Sequence, residues 1–254
     1  MTIKPDVSKG SVVVLYKGGR LPTWEKLSLE KKQAYEQEHV DLMLSISREH
    51  RMMRLEGFRL MTPQQSFQRF WVIEFPTLAG AEAWIDAEMA PPYGTYGYYE
   101  YYVARRWRPE YFSTWVTNPP APLEVPAERD PHLVPKLSVD SHSVVVLLFG
   151  RWRPEADTAT TEERGDDEHV ELMKSVASEH GLMRLEGFKL IGPQDEWHRA
   201  WVIEFPTLVG AEAWIAGEVA PRHGLYAMKS FHLARKWAPE YFASWVDQAA
   251  REEK

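Results

Sequence analysis

The sequence contains no cysteine, and this absence removes several classes of site at once. A chain without cysteine forms no disulfide, binds no metal through thiolates and has no cysteine nucleophile, and it suits a reducing compartment. The chain also lacks a long apolar run near its start, where "MTIKPDVSKGSVVVLYKGG" is too interrupted for a signal peptide or a membrane span. These absences predict a cytoplasmic protein that does not enter a membrane.

The sequence also lacks an excess of positive charge and the motifs of nucleotide chemistry. Its formal net charge is -7 and its pI is near 5.8, whereas nucleic-acid-binding surfaces concentrate lysine and arginine. It has no phosphate-binding loop, dinucleotide fingerprint, nucleophile elbow or HExxH cluster. We therefore expect no nucleic-acid partner, no metal site, no nucleotide-dependent chemistry and no serine hydrolysis.

What the sequence does contain is a duplication. "RLEGFRL" begins at Arg54 and "RLEGFKL" at Arg184, and segment 38–117 aligns without a gap to segment 168–247, with roughly 46 of about 80 positions identical. Between the copies, "NPPAPLEVPAERDPHLVPKLS" is rich in proline, which is typical of an extended linker. A period this long predicts two complete small domains, at residues 1–117 and 142–254, joined by a linker at 118–141.

Within each copy, the apolar patterns predict the element order βαββαβ followed by a short helix. "SVVVLY" is a β-branched strand, "LEKKQAYEQEHVDLMLSISREH" has helical periodicity, and "RLEGFRL" and "RFWVIEF" alternate like the strands of a hairpin. This order is the ferredoxin-like one. We therefore predict an α+β fold in which two tandem ferredoxin-like units pack sheet to sheet and form an intramolecular pseudo-dimeric α+β barrel.

Long segments of both copies resemble a known family. "FWVIEFPTLAGAEAWIDAEMAPPYGTYGYYEYYVARRW" and "AWVIEFPTLVGAEAWIAGEVAPRHGLYAMKSFHLARKW" resemble the YCII-related proteins of the dimeric α+β barrel superfamily, as does the hairpin "GFKLIGP", although Thr62 replaces its second glycine in the first copy. The aspartate that usually precedes the proline of the family's turn is Ala90 or Ala220 here, so a family-style His–Asp pair is not carried over. The resemblance implies a small-molecule enzyme, because related barrels include lyases, dehydrochlorinases, isomerases and monooxygenases.

Strand alternation predicts which side of the last strand in each copy lines a cavity between the two sheets. The side with Tyr99, Tyr101 and Val103 in the first copy is assigned to the helices. The opposite side differs most between the copies, which predicts one asymmetric pocket rather than two equal sites. Its residues, together with the glutamates of the "RLEG" strands, are the predicted substrate-binding set: Tyr96, Tyr98, Glu100, Tyr102, Tyr226, Met228, Glu56 and Glu186.

One arginine and two glutamates recur at matching positions of both copies. They are Arg54, Glu56, Glu74, Arg184, Glu186 and Glu204. If they point into the barrel, they either form an ion network that satisfies itself or supply acid–base groups and polar contacts to a ligand. On the second interpretation Glu74 or Glu204 acts as a base and Arg54 or Arg184 stabilises an oxyanion.

The histidines also allow two interpretations. His39 and His50 lie eleven residues apart, about three helical turns, and both recur, as His169 and His180. They are either hydrogen-bonded core residues or catalytic bases. Three more histidines occur only in the second copy, namely His198, His223 and His232. Alternation places His232 in the predicted cavity, so the candidate bases are His50, His180 and His232.

These patterns predict a small-molecule enzyme that uses acid–base residues in an aromatic-lined cavity and needs no organic cofactor. Its expected reaction is that of a lyase, isomerase, cyclase or dehydrochlorinase on an aromatic, quinone-like or related ring compound. The alternatives are a haem-dependent or cofactor-free monooxygenase and a non-catalytic small-molecule-binding protein, because the fold alone does not decide the function. The expected partner is a small-molecule substrate or ligand, and the expected assembly is a monomer or a homodimer.

Overall fold

The computed structural model describes residues 10–63, 67–194 and 196–247. The β-branched and aromatic runs form eight strands, as these residue types favour a pleated, half-buried surface. The strands are β1 (Val12–Arg20), β2 (Arg54–Leu60), β3 (Arg69–Phe75), β4 (Gly97–Trp107), β5 (Asp140–Trp152), β6 (Arg184–Gln194), β7 (Trp197–Phe205) and β8 (Ala227–Lys236).

Helices connect these strands and cover the outside of the sheet. The α-helices are α1 (Pro22–Glu25), α2 (Leu29–Glu49), α3 (Leu78–Glu88), α4 (Pro109–Ser113), α5 (Thr161–Arg164), α6 (Asp166–Glu179) and α7 (Leu208–Val219). Short 3-10 helices lie at Tyr93–Tyr96, Pro154–Asp157, His223–Tyr226 and Glu240–Trp245. Within the described residues, no helix combines the length and apolarity needed to cross a bilayer.

The eight strands close into a single antiparallel barrel. The order around it is β1, β3, β2, β8, β5, β7, β6 and β4, and β4 pairs back onto β1. Two seams join the strands of one copy to those of the other: β2 pairs with β8, and β4 pairs with β6. The prediction of an α+β fold with antiparallel sheet structure is therefore confirmed.

Alternation along the strands separates three apolar layers. The barrel interior holds fully buried rings from both copies, including Phe58, Phe70, Phe149 and Phe188. The outer faces pack against the helices, in one layer around Trp84 in the first copy and another around Trp214 in the second. The barrel is thus a packed core, and the sandwich of sheet and helices is repeated on each side of it.

A layer of charges lies across one end of the barrel interior, and it joins the two copies reciprocally. Arg54 Nη1 donates to both carboxylate oxygens of Glu186 at 3.0 and 2.8 Å, and Arg184 donates to both oxygens of Glu56 at 3.0 and 2.7 Å. Burial alone would raise the pKa of Glu186, but the nearby arginines outweigh it and hold the pKa below its ordinary value. Buried charges are tolerated here because each has a partner.

The chain that follows the last strand of each copy packs on the other copy. Phe112 of α4 lies in the apolar layer of the second copy, whereas Phe242 and Trp245 lie in the layer of the first. Trp107, at the end of β4, packs edge to face on Trp201 at 5.9 Å between ring centroids. The outer face of the second copy is therefore covered partly by chain from the first.

Replacing Glu186 by Gln leaves the guanidinium groups of Arg54 and Arg106 undercompensated inside the barrel. We expect the free energy of unfolding to fall by about 3 kcal/mol, because breaking a buried pair leaves the other charge without its partner. Urea denaturation followed by circular dichroism measures the loss. The matched control is Glu168→Gln, which removes an exposed ion pair with Arg222 and should cost less than about 1 kcal/mol. Equal losses in the two variants would contradict a supporting role for the charge layer.

Candidate functional site

The structure leaves no room for a ligand at the predicted place, between the two sheets. The predicted cavity between the two sheets is filled by the apolar interior, in which Tyr102 and Phe149 pack at 5.2 Å between ring centroids. This location was wrong because alternation tells which side chains point inward but not whether they meet in the middle.

The predicted arginines and glutamates all belong to the charge layer. In addition to the pairs already described, Arg106 donates to Glu74 from Nε and Nη2, at 2.8 to 3.1 Å, and to Glu186 from Nη1 at 3.0 Å. Glu204 Oε1 lies 2.7 Å from Lys236 Nζ. Each carboxylate has a cationic partner, although Arg54 Nε, Arg54 Nη2 and Glu204 Oε1 have no hydrogen-bond partner among the described residues. The ion pairing favours the network interpretation over a free acid–base set.

A second polar cluster lies at the opposite end of the barrel interior. Lys17 Nζ donates to Glu100 at 2.6 Å and to Tyr102 at 3.1 Å, and the Tyr98 hydroxyl donates to Glu100 at 2.8 Å. The hydrogen bonds from Lys17 and the tyrosines overcome the effect of burial and lower the pKa of Glu100. Three of the predicted substrate-binding residues, Tyr98, Glu100 and Tyr102, thus meet at this end, and the candidate base His232 also lies here.

His232 is held at that end by contacts from both copies. Its Nε2 lies 3.2 Å from Ser230 Oγ, and its ring packs edge to face on Phe67 at 4.9 Å between centroids. Burial, followed by the charge of Lys17, lowers the pKa of His232 to about 4. The imidazole is therefore neutral near pH 7, but no described cavity opens onto it.

The remaining predicted tyrosines and Met228 lie elsewhere. Tyr96 belongs to a 3-10 helix and packs on Trp24 and Tyr35, and Tyr226 ends the matching 3-10 helix of the second copy. Both precede the strand, so strand alternation does not apply to them, and their assignment to an inner cavity was wrong. Met228, the second residue of β8, has its Sδ 3.0 Å from Arg151 Nη2.

His50 and His180 lie at the C-terminal ends of α2 and α6, where the helices approach α3 and α7. A methyl group built on Gly80 would meet the Cβ of His50 at 2.9 Å, and one on Gly210 would meet that of His180 at 3.1 Å. Because a larger residue would clash there, both positions are occupied by glycine. Neither histidine lines a described cavity, which favours the packing interpretation of this pair over a catalytic one.

A cavity of about 600 Å³ lies instead on the outer face of the second copy, between the strands and helices α4, α6 and α7. Its size is in the range of small-molecule sites. Most of its wall is aromatic or aliphatic: Trp107, Tyr111, Phe112, Trp115, Trp152, Met173, Leu185, Trp201 and Trp214. Its charged and imidazole side chains are Arg108, Arg151, His169, Lys189, His198, Arg199, Glu218, His223 and Lys229.

Two stacked imidazoles form one end of this cavity, which we call the histidine end. The rings of His169 and His223 are parallel to within 4°, with centroids 3.8 Å apart. His223 Nδ1 lies 3.3 Å from an oxygen of Asp166, and His169 Nε2 lies 3.8 Å from an oxygen of Glu218. Asp166 is close enough to orient the ring of His223, and Glu218 lies near His169 without a hydrogen bond to it.

Both imidazoles are neutral at physiological pH. Burial, followed by the charge that His223 would carry when protonated and by that of Lys229, lowers the pKa of His169 to about 3. Burial and Lys229 also lower the pKa of His223, against the opposing charges of Glu218 and Asp166. A neutral imidazole is the form that binds a metal or accepts a proton.

Three polar atoms in the cavity wall have no hydrogen-bond partner among the described residues. They are the indole nitrogens of Trp115 and Trp214 and Nε of Arg151. Buried donors are normally satisfied, but Trp84, the counterpart of Trp214 in the filled first copy, also has an unpaired indole nitrogen, so these atoms do not by themselves indicate a ligand. Within the described residues, no group of three or more His, Cys, Asp and Glu side chains is arranged to hold a metal ion by itself.

The corresponding place in the first copy is almost completely filled. Only about 20 Å³ is left there, beside His39 and Tyr93, whose rings stack at 3.9 Å. Tyr16 and Tyr99 supply the bulk, and the guanidinium of Arg20 lies 3.8 Å from the Tyr93 ring centre. The second copy has Leu148, Lys229, Trp152 and His223 at these four positions.

The asymmetry between the copies was predicted, but it was assigned to the wrong side of the strands. Two differences open the cavity: the second copy has Leu148 where the first has Tyr16, and it has His223 where the first has Tyr93. Both positions are on the side of the strands that faces the helices. The change from Tyr99 to Lys229 was visible in the sequence. It pointed to the cavity, and so did the occurrence of His223 in one copy only.

No protein-family model matches this sequence, and no curated protein is significantly similar to it. The fold is similar to that of chlorite dismutase from Candidatus Nitrospira defluvii: a variant in complex with cyanide has a TM-score of 0.68 at 11% identity, over 94% of this chain and 95% of that chain. The same enzyme in complex with imidazole has a TM-score of 0.65 at 11% identity, over 94% and 96%. At these identities the likeness shows the fold.

This likeness contradicts two of the predictions. Chlorite dismutases are haem-dependent enzymes, so the prediction of cofactor-independent acid–base chemistry by a lyase or isomerase was wrong, and so was the prediction of no cofactor. The structure supplies a physical reason, because the carboxylates expected to act as bases are ion-paired within the barrel. The haem-dependent alternative agrees better with these findings.

The neutral state of His169 predicts how stability depends on pH. Its pKa is about 3 in the folded chain and about 6.5 in an unfolded one, so the unfolded chain binds more protons and stability is lost as pH falls from about 6.5 towards 3. We expect a smaller loss in a His169→Asn variant, measured as the slope of unfolding free energy between pH 7 and pH 4. Parallel slopes for the two proteins would show that His169 is not held neutral by the fold.

Proposed function

We propose that this chain binds haem in the cavity of its second copy and uses it for oxidative chemistry on a small molecule. The observation that carries the proposal is the stacked pair His169 and His223 at one end of a cavity of about 600 Å³. His169 or His223 would hold the group, and one imidazole from the protein would suffice, because the porphyrin nitrogens supply four of the iron's ligands. A cluster of three protein ligands is therefore not required.

The residues of the cavity fit such a group. Its volume lies within the range of cofactor sites, its walls are largely aromatic, and the imidazoles are neutral. The pairing of His223 Nδ1 with Asp166 matches the carboxylate that commonly orients a metal-binding histidine and leaves Nε2 for the ligand bond.

The protein's own contribution is to exclude water and to orient what enters. Haem supplies redox and oxygen chemistry whose course depends on its axial ligand and surroundings. The indoles of Trp107 and Trp201 wall the cavity and remove bulk solvent, which strengthens electrostatic interactions within it. Small ligands such as cyanide and imidazole, bound in the chlorite dismutase structures, are expected to bind to the haem-loaded protein here.

We also propose the finer architecture that the sequence indicates. Residues 1–117 and 142–254 are treated as two ferredoxin-like units joined by the linker 118–141, together forming an intramolecular pseudo-dimeric barrel that resembles the YCII-related proteins. The reciprocal pairs between Arg54 and Glu186 and between Arg184 and Glu56 support a two-fold relation. Among the predicted site residues, this charge layer is assigned a structural role.

Haem binding is tested by adding haemin to the purified protein and recording the absorption spectrum. We expect a Soret band that saturates at about one haem per chain, because the described residues of the first copy fill the place that corresponds to this cavity. His169→Ala and His223→Ala are then titrated in the same way. At least one of them should bind haem about tenfold or more weakly and lose the histidine-ligated spectrum.

The control is His142→Ala, which replaces an exposed histidine outside the cavity and should bind haem like the unaltered chain. Circular dichroism of all three variants checks that they are folded. Failure of the folded, unaltered protein to bind haem contradicts the proposal. Unchanged haem affinity in both His169→Ala and His223→Ala also contradicts it.

A further inference from the structure

The cavity has a second polar end, formed by two arginines that flank one indole. The guanidinium of Arg199 lies 4.2 Å from the centre of the Trp107 ring, and that of Arg108 lies 5.3 Å from it. Both arginines line the cavity. We call Arg108 and Arg199 the arginine end.

The arginine end has no carboxylate partner among the described residues. None of the ion pairs between described residues includes Arg108 or Arg199, and the pairs around the cavity are those of Arg151, Arg164 and Lys229. Glu218 is the acidic side chain among the described lining residues, and it is paired with Lys229. Burial, followed by the like charge of Arg108, lowers the pKa of Arg199, which shows that its charge is undercompensated.

In the first copy, the arginine equivalent to Arg199 has carboxyl groups near it. Arg69, the counterpart of Arg199, lies 4.9 Å from the ring centre of Trp237, and its charge acts on the carboxyl groups of Glu36 and Glu88. The counterparts of these two glutamates are Asp166 and Glu218. In the second copy these acids are engaged elsewhere, by Arg164 and His223 for Asp166 and by Lys229 for Glu218.

The backbone at Arg108 adds an independent observation. Arg108 has a left-handed conformation with φ of 49°, whereas its counterpart Ala238 is not among the described residues with positive φ. A left-handed conformation costs about 1 kcal/mol or more for a residue other than glycine, and such residues cluster at ligand sites. The strain is present only in the copy that presents an arginine to the open cavity.

The arginine end lies away from the histidine end. His223 begins the 3-10 helix that leads into β8. Arg199 is on β7, two strands further around the sheet, and Arg108 follows β4, two strands beyond that. Neighbouring strands are about 4.8 Å apart, so the backbone positions of the two ends are separated by roughly 10 to 20 Å across the sheet. One end therefore offers neutral imidazoles and the other offers uncompensated positive charge.

We propose that Arg108 and Arg199 bind the carboxylate of an organic substrate with an apolar body, which lies along Trp107 inside the cavity. The inference rests on the proposed function in that the ligand shares the cavity assigned to haem. Guanidinium groups bind carboxylates through paired, charge-assisted hydrogen bonds, and both groups lie within 5.3 Å of the centre of the same indole ring. The apolar walls favour an organic anion over a small inorganic one, because they bury its hydrocarbon part.

Calorimetric titration with 2-naphthoate and 2-naphthamide tests this assignment on the full chain. The two probes have the same ring system, and only the first carries a charge. We expect 2-naphthoate to bind at least about tenfold more tightly, and we expect Arg199→Gln and Arg108→Gln to remove most of that difference. Sodium nitrate at the same concentration should not displace the naphthoate.

The matched control is Arg69→Gln, which removes the equivalent arginine beside Trp237 and should leave naphthoate binding unchanged. Thermal melting of each variant confirms that it is folded. Equal affinity for the acid and the amide overturns the proposal. The same holds if Arg69→Gln weakens binding as much as Arg199→Gln does, or if nitrate displaces naphthoate.

The haem-loaded protein separates this proposal from the proposed function. If naphthoate still binds after haem saturation and its affinity still depends on Arg199, the arginine end belongs to a substrate. If haem abolishes naphthoate binding competitively, the arginines serve the cofactor's own carboxylates and the substrate assignment is wrong. If haem does not bind but naphthoate does so through Arg199, the carboxylate site stands and the haem proposal fails.

Discussion

The reciprocal exchange of charges inside the barrel is the constraint on which the rest of the structure depends. Arg54 and Arg184 each bind a glutamate of the other copy, and an uncompensated buried charge would cost several kcal/mol. This requirement sets how the two sets of strands meet and therefore where β4 pairs with β6. That seam places Trp107 and Phe112 over the outer face of the second copy, where they become part of the cavity wall.

Duplication then allows one scaffold to serve two purposes. In the first copy, Tyr16 and Tyr99 fill the space between the sheet and its helices, and the result is a dense aromatic core. In the second copy the position equivalent to Tyr16 is occupied by the smaller Leu148, and the same space stays open. Since the surrounding strands and helices are nearly the same, the cavity is maintained by a scaffold whose stability is shared with the filled copy.

The electrostatics of the cavity are arranged along its length. Burial keeps His169 and His223 neutral at one end, with carboxylates behind them, while Arg199 keeps a charge that no described carboxylate balances. A ligand that combines an iron-bound or apolar part with an anionic group would meet complementary surroundings at both ends. Low polarity between the ends strengthens each of these interactions.

The sequence by itself determined the duplication, the α+β class and the side of each strand on which a residue lies, because repeats and alternation are local and are written in the order of the residues. Tertiary structure alone decided that the inward charges pair across the copies, that the barrel interior is filled, and that His169, His223 and Arg199 border a cavity outside it. The physical reason is that packing volume and ion pairing depend on residues far apart in the chain. Arg54 and Glu186, for example, are 132 positions apart, and no local pattern records which partner fills a space or neutralises a charge.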